Sequence, residues 1–186
     1  PAMIRMVYSS FNLILIIGLI VVIAFSALRN KVSPLVAKIL FIAYSAISGL
    51  TLSSIFLVYK IESVGLVFLS AAVMFGLLAL YGYITKQDLS SLGKILIFAL
   101  LAIVVMSLIN IFVGNESFDI FISIVSVVIF LGLTAWDMQA LKAMYNYYSS
   151  DERELSKMAI YGALDLYLDF INIFLSLLNL FGKSKD

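Results

Sequence analysis

Long apolar runs follow one another through this chain, separated by short bursts of polar residues. The runs extend roughly over Met6–Leu28, Ile39–Tyr59, Ser63–Thr85, Ile95–Gly114, Ile120–Leu141 and Met158–Gly182. Each is close to the ~20 residues that a helix needs to cross a ~30 Å hydrocarbon core. None alternates polar and apolar residues as the strands of a transmembrane barrel do. The bursts Arg29-Asn30-Lys31, Lys60-Ile61-Glu62, Lys86-Gln87-Asp88, Gly114-Asn115-Glu116 and Ser149-Ser150-Asp151-Glu152-Arg153-Glu154 mark the span ends, and none is long enough for a soluble domain. The pattern predicts an all-α, polytopic transmembrane helix bundle, a single domain over residues 1–186 with six spans.

Composition agrees: 63% of residues are hydrophobic and 12% charged, against roughly 45–50% and 25% in a soluble domain. The protein therefore belongs in a bilayer. A net charge of +1 without a basic block gives no footprint for a nucleic-acid partner. Histidine and cysteine are both absent, which removes disulfides, thiol nucleophiles, imidazole bases and zinc or haem sites of the usual kind. No cofactor is expected. The chain opens Pro1-Ala2-Met3 and enters an apolar run without a cleavable-signal pattern, so a preceding N-terminal part is expected. The prolines are Pro1 and Pro34, so no apolar run carries a proline kink.

Lysine and arginine set the expected orientation, because the richer side normally stays in the cytoplasm. The loops after spans one, three and five hold Arg29, Lys31, Lys38, Lys86, Lys94, Lys142, Arg153 and Lys157, and the other side holds Arg5, Lys60, Lys183 and Lys185. The first set is therefore placed inside, with the C-terminus outside. Small residues recur on the spans, as in Ala43-Tyr44-Ser45-Ala46-Ile47-Ser48-Gly49 and Ser70-Ala71-Ala72. They let helices approach closely where packing, rather than exclusion from water, holds a bundle together.

The candidate chemistry is acidic. Asp165 and Asp169 stand inside the last apolar run and Asp137 inside the one before it. An ionised carboxylate in hydrocarbon costs of order 3 kcal/mol or more, so each needs a partner, a proton or a function. Asp165 and Asp169 are four apart and share a helix face, about 5–6 Å from each other. Counted from Lys157 and Lys142, Asp165 lies ~12 Å and Asp137 ~8 Å inside the cytoplasmic ends of their spans, so the groups can meet at one depth. Two carboxylates that meet in a low-dielectric site cannot both ionise cheaply; they keep one proton and titrate as a unit. The bland alternative is a carboxyl–carboxylate hydrogen bond that only joins two helices. Asn172, Gln139, Asn110 and Asn179 are intramembrane amides that extend such a site or serve as packing contacts. Arg29 is a counter-ion candidate, or a topology anchor that snorkels to the interface.

Trp136-Asp137-Met138-Gln139 followed by Gly162-Ala163-Leu164-Asp165-Leu166-Tyr167-Leu168-Asp169-Phe170-Ile171-Asn172 resembles the last two helices of the Bax inhibitor-1, or transmembrane Bax inhibitor motif, family. Ser48-Gly49-Leu50-Thr51-Leu52-Ser53-Ser54 is similar to its third-helix pattern, and spacing and span lengths agree along the whole chain. The resemblance implies a bacterial inner-membrane protein of seven helices, six around the last, whose first helix precedes this sequence. It also implies a pH-dependent calcium leak. The family's two-aspartate sensor maps onto Asp137 and Asp169, with Asp165 as an acidic neighbour. Bacterial members are linked as well to a membrane-bound AAA protease. Two departures stand out: Ser54 occupies a position where the family often has proline, and Gly18 stands where some members carry an acid.

Three functional readings follow. In the first, Asp137, Asp165 and Asp169 line a polar path whose opening depends on protonation, and hold calcium transiently, as suits a hard cation that must also leave. In the second, which is compatible with the first and like it is not an enzyme, the bundle binds or regulates a membrane partner, with Asp151–Glu154 as a docking surface or simply a solvated loop. The third, an intramembrane aspartyl protease, rests on two Asp sharing a proton, but Leu164 replaces a required glycine and no proline follows Pro34.

Overall fold

The computed structural model describes residues 33–185; the expected span Met6–Leu28 and the counter-ion candidate Arg29 lie outside them. Six helices are described: α1 Pro34–Ser53, α2 Ile55–Val58, α3 Ile61–Ile84, α4 Ser90–Val113, α5 Glu116–Tyr147 and α6 Glu152–Phe181. Of these, α3 to α6 are long and apolar enough to cross a membrane. The fold is a polytopic helix bundle. The expected span Ile39–Tyr59 corresponds to α1 continued by the single turn α2 after an interruption at Ser54, where the Leu57 amide bonds back to the Ser54 carbonyl at 3.0 Å.

Local chemistry accounts for the helix ends. Pro34 occupies the first position of α1, where its missing N–H costs nothing, and Ser33 Oγ accepts from the Val36 amide at 3.4 Å. Asp88 Oδ1 accepts from the Ser90 amide at 2.9 Å at the start of α4, and its hydrogen bonds with Ser90 hold this exposed carboxyl below its usual range. The connection from α4 to α5 is only two residues long. Gly114 turns the chain with φ 66°, a left-handed conformation that suits glycine, and Asn115 caps α5 by accepting from Phe118 N at 3.0 Å. Asp151 caps α6 by accepting from the amides of Arg153 and Glu154, each at 3.1 Å. Glu152 and Glu154 then complement the positive end of the helix. The acidic stretch after Ser150 is thus the start of the last helix.

Helices α5 and α6 form the centre: half of the membrane-length window is buried in each, against 22% in α3 and 17% in α4. α6 packs against α1, α3 and α5, whereas α4 packs on the outer side of α5. Edge-on aromatic pairs fill the α3–α6 contact, with Phe68 at 5.3 Å from Phe170 and 5.7 Å from Phe174, and Phe75 at 5.6 Å from Phe170. Phe41 and Tyr44 do the same for α1 against Tyr167. Leu57, Phe98 and Phe112 are among the large apolar side chains left on the outside, as expected where the surroundings are lipid.

The tail beyond α6 is tied down. Tyr59 and Ser184 form an antiparallel bridge, the Lys60 amide donates to the Lys183 carbonyl at 2.9 Å, and the Lys183 amide donates to Ser63 Oγ at 2.9 Å. The tail and the α2–α3 junction therefore share one side of the bundle, and the Asp151 cap lies on the other. With the loop charges this sets an expected result: a thiol placed by Ser150→Cys is labelled from the cytoplasmic face. The native chain has no cysteine to obscure the signal, and labelling confined to the outer face overturns the orientation.

Candidate functional site

One turn of α5, from Thr134 to Asp137, and one turn of α6, from Asp165 to Asp169, build the site. α5 and α6 run antiparallel in a register marked by Ser123 against Asn179 at one end and Leu141 against Gly162 at the other. Gly162 is needed there, because a β-carbon would collide with the Leu141 side chain. Between these pairs, Asp169 of α6 meets Asp137 and Thr134 of α5. The Asp169 side chain is 4% exposed, in hydrogen-bonding contact with the Asp137 carboxyl and within reach of the Thr134 hydroxyl. Asp165 acts on it as a charged neighbour one turn away. Asp137 and Asp165 are half-buried.

The hydrogen-bond balance of this group is unusual. Asp169 Oδ2 is buried and receives no N–H or O–H from the described residues. The Thr134 hydroxyl has two acceptors within reach, the Asp169 carboxylate and the Phe130 carbonyl at 2.7 Å, and its single proton serves one at a time. The remaining neighbour of Asp169 is a second carboxyl. Two carboxyl groups in contact, away from water, require a proton between them. The arrangement can therefore take up and give back a proton, and its net charge changes when it does.

The other expected members are placed elsewhere. Gln139 turns from α6 to the α3–α4 link, where Oε1 accepts from the Leu89 amide at 2.9 Å and Nε2 donates to the Gln87 carbonyl at 2.7 Å. Lys142 supports the same region by donating to the Tyr83 carbonyl at 2.7 Å. Asn172 is buried and donates to the Leu168 carbonyl of its own helix at 2.8 Å. Trp136, Asp137 and Gln139 thus face three neighbours, because successive helical residues are about 100° apart: Trp136 lies over Gly93 of α4, Asp137 meets α6, and Gln139 clamps the link. Replacing Gln139 by Leu removes two hydrogen bonds worth about 1 kcal/mol each. Amide exchange at Leu89 is expected to speed up by roughly tenfold or more; unchanged protection means that the clamp does not hold the link.

No group of three or more acidic side chains among the described residues is arranged to hold a metal ion. Asp137 and Asp169 are in contact, and Asp165 acts on Asp169 as a charge one helical turn away.

Sequence reasoning missed Thr134 and Asp119. Thr134 is fully buried three residues before Asp137, a spacing that puts it on the same face. Asp119 stands in the first turn of α5 and reads as an ordinary helix-start acid. It is in fact half-buried and hydrogen-bonded by Asn110 Nδ2 at 3.0 Å and by Asn179.

The family model described as inhibitor of apoptosis-promoting Bax1 matches residues 2–186. The inner membrane protein YbhL of Escherichia coli is 46% identical over 94% of this chain and 77% of its own length. A protein of Borreliella burgdorferi is 41% identical over 95% of this chain and 76% of its own length. A membrane protein of Streptococcus pyogenes serotype M1 is 42% identical, covering 91% and 72%. Together with four helices of membrane-crossing length, these matches describe a multi-pass bacterial inner-membrane protein. The chain belongs to the Bax inhibitor-1 family.

Proposed function

We propose that this protein is a proton-regulated cation leak of the bacterial inner membrane, with calcium as the transported ion and the Asp137–Asp169 pair as the proton sensor. The observation that carries this reading is a buried Asp169 carboxyl standing against a second carboxyl on the neighbouring central helix, with one oxygen lacking a donor among the described residues. When the pair shares a proton it joins α5 to α6. When that proton leaves, two like charges repel at the contact that holds the centre of the bundle. Asp165, toward the cytoplasmic end, supplies an oxygen for a passing ion. A hard cation suits such a route, and weak coordination suits a leak, because an ion held tightly does not leave.

The test is calcium flux into proteoliposomes loaded with an indicator dye and containing the purified full chain, measured across a pH series. A flux that changes with pH and is absent from protein-free vesicles is the expected result. No flux at any pH overturns the leak and favours a protein that regulates a membrane partner such as a quality-control protease.

A further inference from the structure

A second polar station lies at the far end of the same seam. Asp119 accepts from Asn110 Nδ2 at 3.0 Å and is hydrogen-bonded by Asn179, whose Nδ2 also donates to Ser123 Oγ at 2.7 Å. Asn110 in turn accepts from the Asn115 amide through Oδ1 at 3.1 Å. Three helices, α4, α5 and α6, thus each contribute a polar side chain to one place. Asn110 is 4% and Ser123 7% exposed, so this is not a solvated surface patch. Eighteen residues of α5 separate Asp119 from Asp137, about 27 Å at 1.5 Å per residue. The two carboxylate stations stand near opposite faces of a ~30 Å hydrocarbon core.

From the Asp119 end inward, the first part of the seam carries further hydroxyls. The Ser123–Asn179 and Leu141–Gly162 pairs set the register of α5 against α6 and place Ser126 across from Ser176, both buried. On α4, the pairs Asn110–Asp119, Leu96–Gly132 and Gly93–Trp136 set a register that brings Ser107 to the level of Ile122 and Ser123. Ser126 is 1% and Ser107 2% exposed, and neither hydroxyl has a hydrogen-bond partner among the described residues. A buried hydroxyl left in that state costs about 1–3 kcal/mol, and water or an ion at the seam removes the cost. Beyond Ser126, Phe130 and Ile173 are buried between the two stations, and they close the seam in the form described.

We propose that Asp119, held in place by the amide N–H groups of Asn110 and Asn179, is an outer carboxylate that draws hydrated cations to the head of a water-filled stretch of the α5–α6 seam that reaches Ser126. The carboxylate draws cations to the mouth with their hydration shell in place, and Ser107 and Ser126 are satisfied by the water that follows. The water-filled stretch stands on geometry alone; the cation role rests on the leak reading.

Two measurements on the full chain in liposomes separate these parts. The first uses Ser126→Cys and Val128→Cys, the latter at a position 64% exposed on the outside of the bundle. A small cationic thiosulfonate reagent added from the outer face is expected to modify Ser126→Cys about tenfold or more faster, because a thiol in apolar surroundings resists ionisation. Equal rates overturn the water-filled stretch. The second compares calcium entry from the outer face at the pH of maximal flux. Asp119→Asn is expected to lower it about tenfold, the scale on which a charged mouth concentrates an ion, while Glu116→Gln, an exposed acid at the same helix end, leaves it unchanged. Asp119→Glu, which keeps the charge, is expected to restore most of the entry. An unchanged Asp119→Asn flux in a protein that does leak overturns the station. A parent protein without flux overturns the leak reading and the cation role together, and the labelling result still decides whether water enters the seam.

Discussion

Asp169→Asn and Asp137→Asn are expected to leave the bundle assembled and to shift or flatten the response of calcium flux to pH. Asparagine matches aspartate in size and can donate as well as accept, so the contact between α5 and α6 is kept by an amide–carboxyl hydrogen bond. What is lost is the second ionisable group. Sites that interact by more than about one pH unit titrate as a pair, so removing either member shifts the midpoint by about one unit or more, or flattens the profile. Asp165→Asn is expected to act more weakly, because Asp165 acts on Asp169 through its charge from one turn away. The measurement is the proteoliposome flux series, with circular dichroism and gel filtration in detergent to show that each variant is folded. Parent-like pH profiles in all three variants would remove the sensor and leave the carboxylates as packing contacts.

Gly82→Val is expected to be the most damaging small change in the bundle. A β-carbon at Gly82 would collide with the Ala135 carbonyl and α-carbon of α5, and backbone atoms of a central helix do not move aside as a side-chain tip does. Overpacking of this kind costs about 1–3 kcal/mol when side chains can yield, and more when they cannot. Ala135 is buried beside Thr134 and two residues before Asp137, so the strain falls directly on the candidate site. Gly76→Val offers the control on the same helix, since nothing stands within 4 Å of a β-carbon there. Thermal unfolding in detergent is expected to show a large loss for Gly82→Val and little change for Gly76→Val. Equal melting temperatures would mean that α3 and α5 do not approach as closely as described.

The class of fold was legible in the residue pattern, because bilayer thickness imposes a length on every span and hydrocarbon forbids charge along it. The same rule made Asp137, Asp165 and Asp169 conspicuous, since a carboxylate in an apolar run has to be explained. The acidic start of α6 was likewise readable as a span boundary, though its capping role needed the backbone geometry of Asp151.

Only the tertiary structure decided which polar residues meet. Gln139 and Asn172 looked equally suited to the aspartate site, but a helix rotates by about 100° per residue, and one amide was carried to the α3–α4 link while the other bonds within its own helix. Asn110 and Asp119 sit nine residues apart across a turn, Asn179 lies sixty residues further on, and each is individually unremarkable; the two-residue turn at Gly114 and the antiparallel register of α5 and α6 bring them together. Hydropathy reads depth in the membrane, which is a property of single residues. Convergence of side chains depends on helix rotation and register, which are set by close contacts such as Gly82 on Ala135 and Gly93 on Trp136, and these appear only once the helices are packed.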